Sequence, residues 1–254
     1  MVMDKKVGFV TGGASGIGAE VARQLSSRGV IVAVCDINDT DGVPLAEAIG
    51  GKFISCDVSN LDSFADAVSD CCQELGIPSF AHLNAGVMTV GASDPFLAIE
   101  DVSLEQYKRI TGVNLTGVFN GIKCLLPSMR KNGGTITATA SVAGLGALPF
   151  DPLYGATKHA VVGLVRAVAA ANEDANISVN CICPGGVDTP IIPDALKANG
   201  IDAMPVADLA AEVLDLLYEG TNGEIRVKLK DSAFAVEEIN VMSSNGLVDE
   251  SDYR

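Results

Sequence analysis

Short runs rich in Val and Ile recur along this 254-residue chain, at 7–10, 30–35, 52–56, 80–83, 135–139 and 177–183, each apolar almost throughout. A strand with one face in water alternates apolar and polar residues, so a strand that is apolar on both faces must be covered on both. Between these runs lie longer helical patterns beginning near Gly16, Gly42, Leu61, Leu104 and Leu153. Strands separated by helices are joined by crossovers, which makes a parallel sheet, and the right-handed crossover rule then winds it doubly. The expectation is an α/β fold: one doubly wound parallel sheet between two helical layers, forming a single domain over 1–254. A last strand is expected at 225–229, and residues 243–254 read as a polar tail.

Composition supports one large core, with 48% hydrophobic and 19% charged residues. Lys and Arg number 17 against 32 Asp and Glu, a net charge of −15. That balance repels phosphate backbones and anionic lipid, arguing against nucleic acid or a membrane as partner. No run approaches the ~18 apolar residues of a membrane span, and the N-terminus lacks a signal-peptide pattern. The chain is therefore expected to be cytoplasmic. Its seven cysteines are odd in number and show no Cys-x-x-Cys pair, so neither a disulfide framework nor a metal site is expected. Cys181 and Cys183 should share one face of a strand as small core residues. Two helical stretches, 112–126 and 160–171, carry one charge each, Lys123 and Arg166. A helix on a sheet should keep a polar outer stripe. These outer faces are expected to meet another subunit, as a homodimer or homotetramer.

The first apolar run ends in Thr11-Gly-Gly-Ala-Ser-Gly-Ile-Gly18 and opens straight into an amphipathic helix. Glycines 12, 16 and 18 permit a tight turn and let main-chain N–H groups approach a pyrophosphate at the helix N-terminus. With Ser15 and Ile17 this turn is a candidate cofactor cradle in a Rossmann-type sheet. Asp36 closes the second run, where a carboxylate can accept hydrogen bonds from ribose hydroxyls and repel a 2′-phosphate. No Arg or Lys occupies 12–18 or 37–41, so NAD is expected over NADP. Tyr154 and Lys158 are four apart on a helical pattern and so share a face. A fixed ammonium beside a phenol favours the phenolate, the form a general base needs. His82 and His159 read as structural residues.

With these pieces in place the chain resembles the short-chain dehydrogenase/reductase family from residue 5 to about 190. Asp57-Val58 follows the third strand where the family cradles adenine, with Ile37 beside Asp36. Asn84-Ala85-Gly86 follows the fourth, beside the nicotinamide ribose. Asn114 stands where the family positions a proton-relay water. Ser141 precedes Tyr154 by the family's usual thirteen residues, and Pro184-Gly185-Gly-Val187-Asp-Thr189 is similar to its nicotinamide-carboxamide loop. The resemblance implies catalysis by Asn114, Ser141, Tyr154 and Lys158, with Lys158 lowering the Tyr154 pKa and binding the ribose. It also implies a short substrate lid at 190–204.

Departures from the family are Leu83 before Asn84, Ala140 before Ser141, and the C-terminal run from Ile225. Val142, Leu148, Phe150 and Leu153 are candidate pocket residues, with no Arg or Lys among them, which implies a neutral, partly apolar secondary alcohol or ketone. Two alternatives stay open: an NADPH-preferring carbonyl reductase, and a nucleotide-sensing protein without turnover.

Overall fold

The computed structural model describes residues 6–198, 200 and 202–236. The tail expected at 243–254 lies outside the described residues, as does part of the segment 190–204. Within them eight strands form one sheet in the order β3-β2-β1-β4-β5-β6-β7-β8. The strands are β1 (Val7–Thr11), β2 (Ile31–Asp36), β3 (Lys52–Ser55), β4 (Phe80–Leu83), β5 (Gly134–Thr139), β6 (Ile177–Pro184), β7 (Ile225–Leu229) and β8 (Ser232–Ala235). The first seven run parallel, and the chain reverses direction across the sheet between β1 and β4. That reversal is the topological switch point, and it opens a crevice at the carboxyl ends of the strands.

Helices cover both faces. One face carries α3 (Leu61–Glu74), α5 (Gly117–Asn132) and α6 (Pro152–Ala170), which bury Phe64, Leu125 and Val161 against β1, β4, β5 and β6. The other carries α1 (Gly16–Ser27), α2 (Asp39–Ala48) and α8 (Val206–Glu219), with Leu25, Leu45, Leu209 and Val213 in a second cluster. Side chains such as Phe64 and Leu125 are fully enclosed, each stabilising the fold by roughly 1.5–3 kcal/mol. Burial on both faces is why these strands read as uninterrupted apolar runs. Cys181 and Cys183 are buried on β6, as expected. Among the described residues no helix is long and apolar enough to cross a membrane.

Two features depart from the simple alternation. The helix α4 (Leu104–Thr111) runs into α5 through a π-turn over Gly112–Thr116. Asn114 sits in that turn, fully buried. Beyond β7 the chain folds back through a two-residue turn, Lys230–Asp231, and β8 pairs antiparallel to β7 from Leu229↔Ser232 to Arg226↔Ala235. All four β8 residues are exposed, Phe234 to 52%.

Candidate active site

The crevice is a cleft of about 600 Å³. All the residues singled out above for cofactor or catalysis line it except Gly18 and Asn114. At one end the turn after β1 is shaped by contact. Gly12 has φ +61°, and a Cβ there would lie 2.9 Å from the Ala85 Cα. A Cβ on Gly18 would sit 2.2 Å from the Gly12 carbonyl oxygen. Gly18 thus lets the first turn of α1 press on the glycine turn from behind and does not face the cleft. Asp36 is held by the main chain: Oδ2 accepts from Ala14 N–H at 3.0 Å and Oδ1 from Asn38 N–H at 3.0 Å. The carboxylate stands fixed at the cleft edge beside Ile37.

The centre is knotted by Asn84. Its main-chain N–H donates to Thr11 Oγ1 at 3.0 Å, and its Oδ1 accepts from Thr139 Oγ1 at 3.2 Å, tying the ends of β1, β4 and β5 together. Asn120 Nδ2 donates to the Val58 carbonyl at 2.9 Å and fixes the segment after β3.

At the other end α6 presents Tyr154 and Lys158. Its start is written locally, with Asp151 as N-cap and Pro152 in the first turn. Lys158 is buried and donates to the Thr139 carbonyl at 2.8 Å; its Nζ lies 5.4 Å from the Tyr154 ring centroid. Burial pushes Lys158 down to about 8. The same desolvation pushes Tyr154 up to about 12, while the Ser141 hydroxyl beside it acts in the opposite direction. Desolvation therefore governs the phenol here, where a lowering by Lys158 was expected. Ser141 caps the short turn Val142–Gly144, accepting from Ala143 N–H at 3.1 Å.

Asn114 stands behind the wall. Its Oδ1 accepts from Val87 N–H at 2.8 Å, and its Nδ2 donates to the Val87 carbonyl at 2.9 Å and to Thr157 Oγ1 at 3.2 Å. A Cβ built on Gly86 would lie 3.5 Å from Lys158 Nζ and 3.6 Å from Asn114 Oδ1, so Gly86 separates the two. His82 is buried in the sheet, with Nδ1 3.3 Å from the Thr137 carbonyl; desolvation holds it down to about 4. His159 Nδ1 lies 2.9 Å from the Gly155 carbonyl. Both histidines sit in structural contacts.

The outer part of the cleft is apolar, with Val90, Val142, Leu148, Phe150, Ile191 and Leu196 on its walls. Leu153 does not join them; it faces a small recess with Phe96 and Ile99. The lining also holds Arg109, which the sequence did not single out; its Nη2 donates to the Met88 and Thr89 carbonyls at 2.8 and 3.0 Å. Its place on α4, outside every motif that marks the site, concealed it. The segment after Thr189 crosses the mouth: α7 (Asp194–Ala198) is latched by Asp194 N–H to the Ala92 carbonyl at 2.8 Å and by Ser93 Oγ to Asp194 Oδ2 at 2.9 Å.

A seven-stranded parallel run with a glycine turn at its switch point and a Tyr–Lys pair across the crevice defines a nucleotide-dependent oxidoreductase scaffold. Comparison with known proteins agrees. The profile of the short chain dehydrogenase family matches residues 6–199. The chain is 37% identical over 192 residues to 2,5-dichloro-2,5-cyclohexadiene-1,4-diol dehydrogenase of Sphingobium indicum, covering 74% of this chain and 75% of that one. It is 32% identical over 207 residues to trans-4-hydroxycyclohexanecarboxylate dehydrogenase of Sinomonas cyclohexanicum, covering 77% and 78%. A 3-ketoacyl-(acyl-carrier-protein) reductase from Brucella melitensis, solved with NADH, superposes with a TM-score of 0.81 at 25% identity, covering 89% and 97%. The chain belongs to the short-chain dehydrogenase family. It is an oxidoreductase of the class acting on CH–OH groups.

Proposed function

We propose that this enzyme is an NAD-linked dehydrogenase of alicyclic secondary alcohols, with Tyr154 as general acid/base. The observation that carries the reading is one cleft with a main-chain-fixed Asp36 at one end and Ser141, Tyr154 and Lys158 at the other, under apolar walls. The fit to a dinucleotide rests on the cradle: at Gly12 any side chain would collide with Ala85. Gly12, Ser15, Gly16 and Ile17 would hold the pyrophosphate, with Gly18 packing the turn behind them. Asp36 and Ile37 would hold the adenosine ribose, Asp57 and Val58 the adenine. Asn84, Ala85, Gly86, Pro184, Gly185, Val187 and Thr189 would hold the nicotinamide half, joined by Tyr154 and Lys158. When bound, NAD+ supplies the hydride acceptor for the carbinol carbon.

The chain's own part is protonic and positional. Tyr154 Oη takes the alcohol's hydroxyl proton as the C–O bond gains double-bond character, and returns it in reduction. Ser141 orients the substrate oxygen and stabilises its developing charge. Lys158 favours the phenolate at the moment of transfer, and Asn114 holds the wall between Lys158 and Val87. Both relatives described above act, by name, on a ring-borne hydroxyl, and Val142, Leu148 and Phe150 offer a ring an apolar seat.

The outer faces of α5 and α6 support a homo-oligomer, since Phe119 on α5 is 48% exposed and Gly163 and Ala167 face out on α6.

The test is a screen of cyclic secondary alcohols, cyclohexanol first, with NAD+ and NADP+, read by NADH or NADPH absorbance. Turnover with NAD+ is expected, and its abolition in Tyr154→Phe with NADH binding nearly intact. Retained turnover in Tyr154→Phe, or activity confined to phosphorylated or carrier-bound substrates, would overturn the reading. Preference for NADP+ would replace the cofactor.

A further inference from the structure

We propose that Asp151 is a positioning residue for Tyr154: its carboxylate ties the segment after β4 to the first turn of α6 and sets its charge in the surroundings of the phenol. The inference rests on the reading of Tyr154 as the acid/base.

Asp151 is 2% exposed yet fully engaged. Its Oδ1 accepts from Thr89 Oγ1 at 2.5 Å and from Tyr154 N–H at 3.0 Å, and its Oδ2 accepts from Thr89 N–H at 3.0 Å. Three donors converge on this one side chain at a helix N-terminus, where an acceptor is favoured. The other members close a ring. Asn114 clamps both main-chain groups of Val87, and Arg109 clamps the carbonyls of Met88 and Thr89. Asn114 also donates to Thr157 Oγ1, and Thr157 Oγ1 donates to the Tyr154 carbonyl at 2.8 Å. Both main-chain groups of Tyr154 are therefore held, its N–H by Asp151 and its C=O through Thr157 by Asn114. The cleft wall at 87–89 and the main chain of Tyr154 are joined by one hydrogen-bond network. An ordinary N-cap would reach only its own helix; this one reaches 62 residues back along the chain.

The groups that bear on the phenol are Ser141 from the end of β5, Cys183 from β6, and Asp151 and Lys158 from its own helix. Burial pushes its pKa up most, Ser141 pulls it down, and Asp151 and Cys183 add smaller upward pushes. On the far side of Asp151 stand Thr89 and, through the Thr89 carbonyl, the Arg109 guanidinium. An amide at 151 would remove the charge. It would also turn its N–H₂ onto one of the three donors.

The experiment compares Asp151→Asn, Thr89→Val and Thr89→Ser in the full chain. The first readout needs neither substrate nor cofactor: ultraviolet titration of tyrosinate, with the matching Tyr154→Phe variant subtracted. Asp151→Asn is expected to lower the Tyr154 midpoint by about half a pH unit or more, whereas Thr89→Val, which keeps the charge, leaves it in place. The second readout is oxidation of cyclohexanol with NAD+. Asp151→Asn and Thr89→Val each lower kcat about tenfold with KM for NAD+ within about twofold, and Thr89→Ser recovers most of that loss. An unmoved midpoint in Asp151→Asn overturns the proposal, as does a wild-type kcat in either it or Thr89→Val. Should Asp151→Asn fail to fold, the Thr89 pair decides alone. Activity in Tyr154→Phe would instead remove the reading beneath it, while the tyrosinate shift would still judge the Asp151–Tyr154 contact.

Discussion

The two ends of the cleft are built by different means. The glycine-turn end is shaped by main chain: Gly12 and Gly18 leave out side chains where there is no space, and Asp36 is oriented by two main-chain N–H groups. The Tyr154 end is shaped by side-chain hydrogen bonds between segments distant in sequence, Thr89 to Asp151 and Asn114 to Thr157. A main-chain cradle needs only the right residues in one short stretch. A side-chain network needs three distant segments to arrive together, so it depends on the whole fold.

That contrast can be broken by substitution. Lys158→Ala should cost the most, lowering kcat by about 10²–10⁴-fold while leaving the NAD+ KM far less changed. Equal losses in both would mean that Lys158 only binds. Gly18→Val attacks the cradle from behind, because its side chain would overlap the Gly12 carbonyl. A stability loss on the order of 3 kcal/mol and weakened NADH binding in calorimetry are expected. Wild-type melting would show that the turn yields.

Asp36→Ala should raise KM for NAD+ about tenfold, which is ~1.4 kcal/mol, with kcat nearly unchanged and discrimination against NADP+ reduced. A fall in kcat instead would mean that the two ends are mechanically coupled. The smallest effect falls between them. His82 is pushed down to about 4 by burial, below its unfolded value near 6.5. The folded state then binds fewer protons than the unfolded one between these values, and stability falls as pH drops from about 6.5 to 4. In His82→Asn the melting temperature should vary less across that window; an unchanged acid limb would place the loss on other groups.

What could be read from the chain follows the same division. The parallel sheet was legible because burial on both faces leaves apolar runs, and the turn at 12–18 because strand, glycines and helix are contiguous. Tyr154, Lys158 and Ser141 were legible through their spacing. The Asp151–Pro152 start of α6 carries a capping signature, but nothing local in it points to Thr89. Arg109 was hidden for the same reason. The strand β8 escaped notice because its turn, Lys230–Asp231, has neither Gly nor Asn, and no described residue other than glycine adopts positive φ. The helix α8 lies beyond the reach of the family motifs, though its Leu pattern is plainly amphipathic.

The π-turn at Gly112–Thr116 has a bearing on how this chain tolerates changes in length. A π-turn holds one residue more than the α-helix it interrupts, and each residue of an α-helix advances by roughly 100°. Removing a single residue there would let α4 and α5 fuse into one regular helix. Either Asn114 would swing off the Val87 wall, or Val118, Ile122 and Leu125 of α5 would rotate out of place against the sheet. The segment is a spacer whose length is itself the information: substitutions within it can be absorbed, whereas a one-codon deletion should disable the enzyme without removing any group that faces the cleft except Val113.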